Sequence, residues 1–324
     1  MSKLLSMMMS SSGGGGGTVG TPVDTTKTIS VDGNQANYMA YKDGKYWFLS
    51  SRTQVSYSEN EDLSSATAIT LHTGGSTVIY GKNINIALCY ASGKTTIDIY
   101  DNSMTYIRTI EKSGTAFVGG NNRYNYITYN GYIYVLNVGL LLKIEDSASV
   151  NDFDLITMSD NAYMFGYAEG NEVLITCNKD AGEIASKYTI IKYNLETNTV
   201  VSTSNVLYDS YSQQKASNCV KFKDKYYFTI KGTTYVSDDL ITFTSISYSN
   251  SWYRIIPYGD VCYTVSKTGI YVTEDFNSST LFQATTTMTS DETYNFRTGE
   301  FFSSAVIFCY STSSSFECVI APIE

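Results

Sequence analysis

Few residues in this chain are of the kinds that do chemistry in combination. His72 is the single histidine in 324 residues. Any Ser–His–Asp or Cys–His arrangement would have to be centred on it, and a zinc site with several imidazoles is excluded. It lies in a Thr/Gly-rich connection, so the expectation is a surface residue. The six cysteines are Cys89, Cys177, Cys219, Cys262, Cys309 and Cys318. No two stand at CxxC spacing, so that signature of metal and redox sites is missing. Cys89, Cys177, Cys262 and Cys309 fall at similar places in apolar runs, the pattern of small buried hydrophobes in a reducing compartment. An even count still allows bridges, and Cys309 and Cys318 can face each other within one hairpin. Carboxylates gather at Asp238-Asp239 and in Asn151-Asp152-Phe153-Asp154. A hard cation needs several oxygens at once. These are the candidate Ca²⁺ positions, but EF-hand spacing is missing and solvated corners explain them as well. No other cofactor is expected.

Whatever these residues do, strands must position them. Helical stripes are scarce, whereas alternation at period two runs through the chain. The 29 tyrosines suit a pleated, half-buried surface with a wet hydroxyl end. One stretch recurs. Its clearest copy is Lys221-Phe222-Lys223-Asp224-Lys225-Tyr226-Tyr227-Phe228-Thr229-Ile230, then Thr234-Tyr235-Val236, then the acidic corner Ser237-Asp238-Asp239-Leu240, then Thr242-Phe243-Thr244-Ser245-Ile246. A second copy follows from Tyr258 to Phe282. Turn pairs Asp43-Gly44, Asn130-Gly131, Glu169-Gly170 and Gly259-Asp260 separate β-branched or aromatic runs, the signal of short hairpins. Such turns begin near Tyr41, Tyr80, Tyr129, Tyr167, Phe222 and Tyr258, with a degenerate one near Gly299. That makes about seven units with a period of roughly 40–45 residues, the blade length of a propeller. Each unit has room for four strands. The expected fold is therefore all-β: a single β-propeller of seven four-stranded blades over residues 28–324. The unit from Tyr167 is long, with an insertion expected near Asp180–Lys187 or Asp209–Ser217. The last unit looks one strand short, and Thr28-Ile29-Ser30-Val31 is expected to complete it and remove an open edge.

Acidic corners recur at Ser58–Leu63, Tyr100–Met104, Ile144–Asp146, Asn194–Glu196, Ser237–Leu240 and Thr273–Phe276. A short Asp or Ser side chain can bond amides two residues on and pin a tight corner. The copy at Ser237, Asp239, Thr242 and Phe243 resembles the Asp-box of sialidase-like propellers, with its glycine missing and Phe in place of Trp. Tyr253-Arg254-Ile255-Ile256-Pro257 likewise resembles the aromatic–Arg–Ile–Pro motif of sialidases, with one extra Ile. The second resemblance implies an arginine that grips a carboxylate, and it makes Trp252, Tyr253 and Arg254 the candidate ligand-face residues. Sialidases need three arginines, a Tyr–Glu pair and an acid. The arginines available are Arg52, Arg108, Arg123, Arg254 and Arg297. No catalytic residue is assigned, and the chain is expected not to be an enzyme.

Residues 1–27 differ in kind. Met1–Met9 is apolar and short, and Ser10–Ser12 and Gly13–Gly17 follow as a linker. One lysine and a Ser-broken core make a poor export signal. The stretch is also far too short for a membrane span. The plain expectation is a flexible tail, and the sharper one is an arm that docks Leu4, Leu5, Met7, Met8 and Met9 into a partner. A net charge of −9 argues against nucleic acid, which needs a basic face. The Tyr/Asn/Ser/Thr-rich all-β body, the scarcity of Pro and His, and the apolar–Ser–Gly arm together resemble structural proteins of tailed bacteriophages. What that resemblance implies is a virion protein of the tail, baseplate or head fibre. It would be made in the host cytoplasm, present in several copies and held to other virion proteins by residues 1–20. Its ring would be a scaffold or receptor-facing module. The alternative is a glycan-binding or sialidase-like propeller on a cell or virion surface.

Overall fold

A computed structural model describes residues 39–322, apart from 52, 61–64, 76, 90–92, 115–116, 118–124, 138, 159–160, 179–186, 209–216, 231, 252–253, 267, 285–295, 302–304 and 312–315. At 39, 125, 161, 163 and 208, and from 296 onward, only the backbone is described. Thr28–Val31 and the arm residues Leu4, Leu5, Met7, Met8 and Met9 lie outside the described residues.

Every described element is a strand, and the strands pair antiparallel with their chain neighbours. Blade one is β1 Met39–Lys42, β2 Lys45–Ser51, β3 Gln54–Ser58 and β4 Thr67–Thr70. Blade two is β5 Thr77–Tyr80, β6 Asn85–Cys89, β7 Lys94–Tyr100 and β8 Tyr106–Ser113. Blade three is β9 Asn125–Tyr129, β10 Tyr132–Asn137, β11 Leu140–Glu145 and β12 Phe153–Thr157. Blade four is β13 Asn161–Glu169, β14 Glu172–Asn178, β15 Lys187–Asn194 and β16 Thr199–Thr203, with β17 Leu207–Tyr208 also paired to β15. Blade five is β18 Val220–Phe222, β19 Lys225–Ile230, β20 Thr233–Ser237 and β21 Thr244–Ile246. Blade six is β22 Arg254–Tyr258, β23 Val261–Val265, β24 Gly269–Thr273 and β25 Thr280–Ala284. The last sheet is β26 Phe296–Phe301, β27 Ala305–Ser311 and β28 Phe316–Pro322.

The fold is a single β-propeller. The expectation of seven four-stranded blades is corrected: six blades are complete, and the last sheet has three strands because nothing among the described residues pairs with the outer side of β28. The degenerate turn expected near Gly299 is also displaced, since Gly299 pairs with Phe308 inside the β26–β27 ladder. The long fourth unit is explained in part by its broken outer strand. Ser204 both donates its amide to the Ile190 carbonyl and accepts the Ile190 amide on Oγ, which parts β16 from β17.

Burial follows from this stacking. A sheet buried on both faces has to find a core on each side, and the cores lie between consecutive blades. Trp47, Leu49 and Val55 of blade one meet Val78, Tyr80 and Tyr100 of blade two. Ile86, Leu88 and Ile97 of blade two meet Ile133, Val135 and Leu142 of blade three. Leu136 and Leu141 meet Phe165 and Ile175, and Tyr188 and Ile190 meet Phe228 and Ile230. Between blades five and six, Phe276 stacks on Tyr227 at 4.0 Å and meets Tyr248 edge-on at 5.2 Å. In the apolar Gly139-Leu140-Leu141-Leu142 run, Leu141 and Leu142 are fully enclosed.

Candidate functional site

Antiparallel alternation gives the ring two unlike ends. The turn between first and second strands of each blade, and the corner between third and fourth, emerge at one end. The connections between second and third strands, and between one blade and the next, emerge at the other.

The turn end is tight. Asp43 and Gly44, Asn130 and Gly131, and Lys223 and Asp224 all have positive φ, from 45° to 80°. Paired left-handed residues are the two-residue turn whose twist matches the strands it joins. The acidic corners also lie here, as the sequence indicates. Asp101 Oδ1 accepts from the Ser103 and Thr105 amides at 2.9 and 2.8 Å. Asp239 Oδ1 accepts from the Ile241 and Thr242 amides and from Ser237 Oγ. Asp275 Oδ1 accepts from the Asn277 and Ser278 amides. These bonds hold the Asp239 and Asp275 carboxyls below the usual range. At Asp101 burial works the other way, but the Ser103 and Thr105 donors outweigh it and the carboxyl is also lowered. Each corner then presents a left-handed apolar residue, Met104, Leu240 or Phe276, that is buried. The Asp-box-like copy therefore acts as a corner pin. Its Phe243 packs against Phe228 at 6.1 Å.

The same end is sewn from blade to blade. Lys42 Nζ donates to the Gly81 carbonyl, Asn85 Oδ1 and Asn102 Oδ1 at 2.5, 3.0 and 2.7 Å. Its burial lowers the ammonium's pKa, while Asp43 and Asp146 oppose that. Asp146 of blade three accepts the amides of Lys82, Asn83 and Ile84 in blade two at 2.8, 3.0 and 3.0 Å. Tyr129 donates to Glu196 at 2.8 Å, Lys221 meets Glu169 at 3.5 Å, and Lys223 Nζ donates to the Glu274 carbonyl at 2.9 Å. Every boundary from blade one to blade six is bridged. The sequence marks Asp146 only as one more acidic corner, and nothing in it distinguishes the residue that clasps a neighbour.

The connection end is different in length and composition. Long polar connections join Ser113 to Asn125, Asn178 to Lys187, Tyr208 to Val220 and Ala284 to Phe296. Arg254 opens β22 at this end, and β22 touches β18 and β26, the first strands of its neighbours. Trp252 and Tyr253 lie outside the described residues. The start of β22 is fixed to blade five by Asn218, which donates Nδ2 to the Ile255 carbonyl at 2.9 Å and accepts the Ile255 amide at 3.1 Å. Ser251 and Thr229 share a buried hydroxyl bond at 2.9 Å. Arg254 is itself 8% exposed. Arg108 sits on the outer strand β8 of blade two and donates to the Ala148 carbonyl at 3.1 Å. The two arginines described with side chains are therefore in different blades and at different radii. The guanidinium of neither joins the other.

Among the described residues the one imidazole and the thiols do not assemble a catalytic group either. His72 is exposed as expected, and its ring stacks on Tyr106 at 3.9 Å. Its backbone amide donates to Tyr100 Oη at 2.8 Å, and the next amide, of Thr73, donates to buried Asp98 at 3.0 Å. Thr109 Oγ1 donates to the same carboxylate at 2.6 Å. Asp98 thus anchors the chain where it crosses from blade one to blade two. Cys89, Cys177, Cys219 and Cys262 are buried and reduced, as their apolar settings suggest. Burial, and then the Asp98 charge, pushes the Cys89 thiol up to about 12. Burial likewise pushes Cys219 and Cys262 well up. A reactive cysteine needs a lowered pKa, so these three are inert. Among the described residues no group of His, Cys, Asp or Glu is arranged to hold a metal. At the two candidate Ca²⁺ positions, Asp239 is committed to its corner and Asp152 pairs with Lys112 at 3.2 Å. No helix among the described residues is long and apolar enough to cross a membrane.

No protein-family profile matches the chain, and no curated protein is similar to it in sequence. Solved structures are similar in fold. The Neurospora crassa Pan2 WD40 domain shares 10% identity at a TM-score of 0.57, over 94% of this chain and 98% of that one. BBS1N in complex with ARL6DN shares 11% identity at 0.54, over 95% and 98%. BamB from Moraxella catarrhalis shares 8% identity at 0.50, over 86% and 82%. At such identities the likeness is one of fold.

Proposed function

We propose that this chain is a non-enzymatic binding propeller. Its stitched turn end keeps the ring rigid, and its connection end meets another macromolecule. The observation that supports this is the one-sidedness of the ring. Turns of about two residues and acidic pins occupy one end, while the long polar connections gather at the other. Loops held on a rigid scaffold are where binding residues concentrate. Aromatic and small polar side chains, such as those of residues 209–216 and 248–253, give contact area at low entropy cost. The similarity to BBS1N in complex with ARL6DN is consistent with a protein partner.

In its specific form, the proposal makes the chain a structural component of a tailed-phage virion, anchored by Leu4, Leu5 and Met7–Met9. Residues 28–31 then pair with the outer side of β28. The topology favours this, because every complete blade ends in an outer strand that leads to the first strand of the next. Residues 32–38 are one residue longer than the 71–76 connection between β4 and β5. The test is to purify particles from the culture that makes the chain. The intact chain is expected in the particle fraction, and a chain lacking residues 1–27 is expected to fold yet stay out. Intact chain recovered only as free monomer overturns the virion reading. Hydrolysis of a sialoside by the free ring overturns the non-enzymatic one.

A further inference from the structure

The register of the last sheet brings two cysteines to one position. β27 and β28 pair antiparallel with Cys309 directly opposite Cys318. Directly opposed residues of an antiparallel pair have Cα atoms roughly 4.5 or 5.5 Å apart. Both values fall in the disulfide window of about 4.4–6.8 Å. The other strand cysteines have no such partner: Cys89 faces Thr96, Cys177 faces Ala162 and Thr189, and Cys262 faces Pro257 and Thr273. Cys89, Cys177 and Cys309 all lie near the end of a second strand. The residue across from them on the third strand is Thr96, Thr189 and Cys318 in turn. Only in the incomplete sheet is the threonine replaced by a second thiol.

We propose that Cys309 and Cys318 form a disulfide that staples the β27–β28 hairpin, and that the remaining cysteines stay reduced. The bond forms by exchange with a small-molecule disulfide such as oxidised glutathione. One thiolate attacks a sulfur of the oxidant, and one molecule of reduced thiol leaves. The second thiolate then attacks the mixed disulfide, and the second reduced thiol leaves. The two cysteines lose two protons and two electrons, and the oxidant takes them up. The staple crosses the sheet whose outer strand is missing among the described residues, where cohesion within the sheet is least supported by pairing.

The test uses the full chain, incubated with oxidised glutathione or with a reductant, alkylated under denaturing conditions and cut with a glutamyl endopeptidase. Cleavage after Glu300 and Glu317 puts the two cysteines on separate peptides, 301–317 and 318–324. The expected result after oxidation is these two peptides joined, two hydrogens lighter than their sum. The peptides carrying Cys89, Cys177, Cys219 and Cys262 should be alkylated in both samples. The oxidised chain should also melt higher than the reduced one, and Cys318→Ser should remove the difference. Full alkylation of Cys309 and Cys318 after oxidation, or their pairing with any other cysteine, would overturn the proposal. Because the linkage map needs no variant, failure of a variant to fold leaves the test intact.

Discussion

At the scale of single residues, Asp146 does more than its neighbours in sequence suggest. Three amides of the β5–β6 turn converge on one buried carboxylate. Removing the shared acceptor leaves the buried Ile84 amide unsatisfied, at about 1–3 kcal/mol, and strips two part-buried amides of their partner. Asp146→Ala is therefore expected to lose roughly 2–4 kcal/mol in denaturant unfolding, while exposed Asp154→Ala should stay within about 0.5 kcal/mol. Gly81, at the same turn, supports this. A Cβ there would stand 2.8 Å from Asp146 Oδ1 and 2.6 Å from the Ile84 carbonyl. Gly166 is tighter still, because an added Cβ would meet the Cys219 carbonyl at 2.0 Å. That carbonyl accepts the Tyr167 amide, a main-chain bond from blade four to blade five. Residue-scale roles of this sort were the least legible in the sequence. Asp98 and Asp146 look like any other strand or corner aspartate, and only the neighbouring blade, distant in sequence, turns them into clasps.

At the scale of elements, the recurring unit is a hairpin, a pinned corner and a plug. Phe276 is the plug between blades five and six, 1% exposed and touching Phe222, Tyr227 and Tyr248. Phe276→Ala is expected to cost about 3–5 kcal/mol, measured by chemical denaturation. The pins carry a pH dependence whose sign follows from their lowered carboxyls. A group with a depressed folded pKa contributes stability above its unfolded value and loses it as pH falls through the folded one. For Asp101, Asp239 and Asp275 the unfolded reference is 3.8. The contribution of these pins to the unfolding midpoint should hold from neutrality down to about pH 5 and decline below about pH 4. Changing all three to Asn should flatten that decline. An unchanged slope would show that the acid loss arises elsewhere. Elements were the most legible level. Asp43-Gly44 and Asn130-Gly131 announce their turns by residues that accept positive φ, whereas Lys223 adopts it without such chemistry, and period-two alternation places the strands. Strand counting was less secure, because the last sheet repeats the hairpin pattern without a fourth strand among the described residues.

At the scale of the whole molecule, the proposed role assigns rigidity to one end of the ring and recognition to the other. The stitched end and the cores between blades fix the scaffold, and the connection end carries the long connections. Arg254 is buried at the start of β22, and Arg108 lies on an outer strand of another blade. A free ring is therefore expected to show no hydrolysis of a fluorogenic sialoside above the buffer rate. The most direct measurement is a cryo-EM map of the chain inside its purified particle, read at residues 1–20 and at the connection end. The expected map has Leu4, Leu5 and Met7–Met9 enclosed by another subunit, with the long connections facing a partner or the exterior and residues 28–31 paired along β28. A map with the arm touching no other subunit, and the ring making no contact beyond its own chain, would contradict the proposed role.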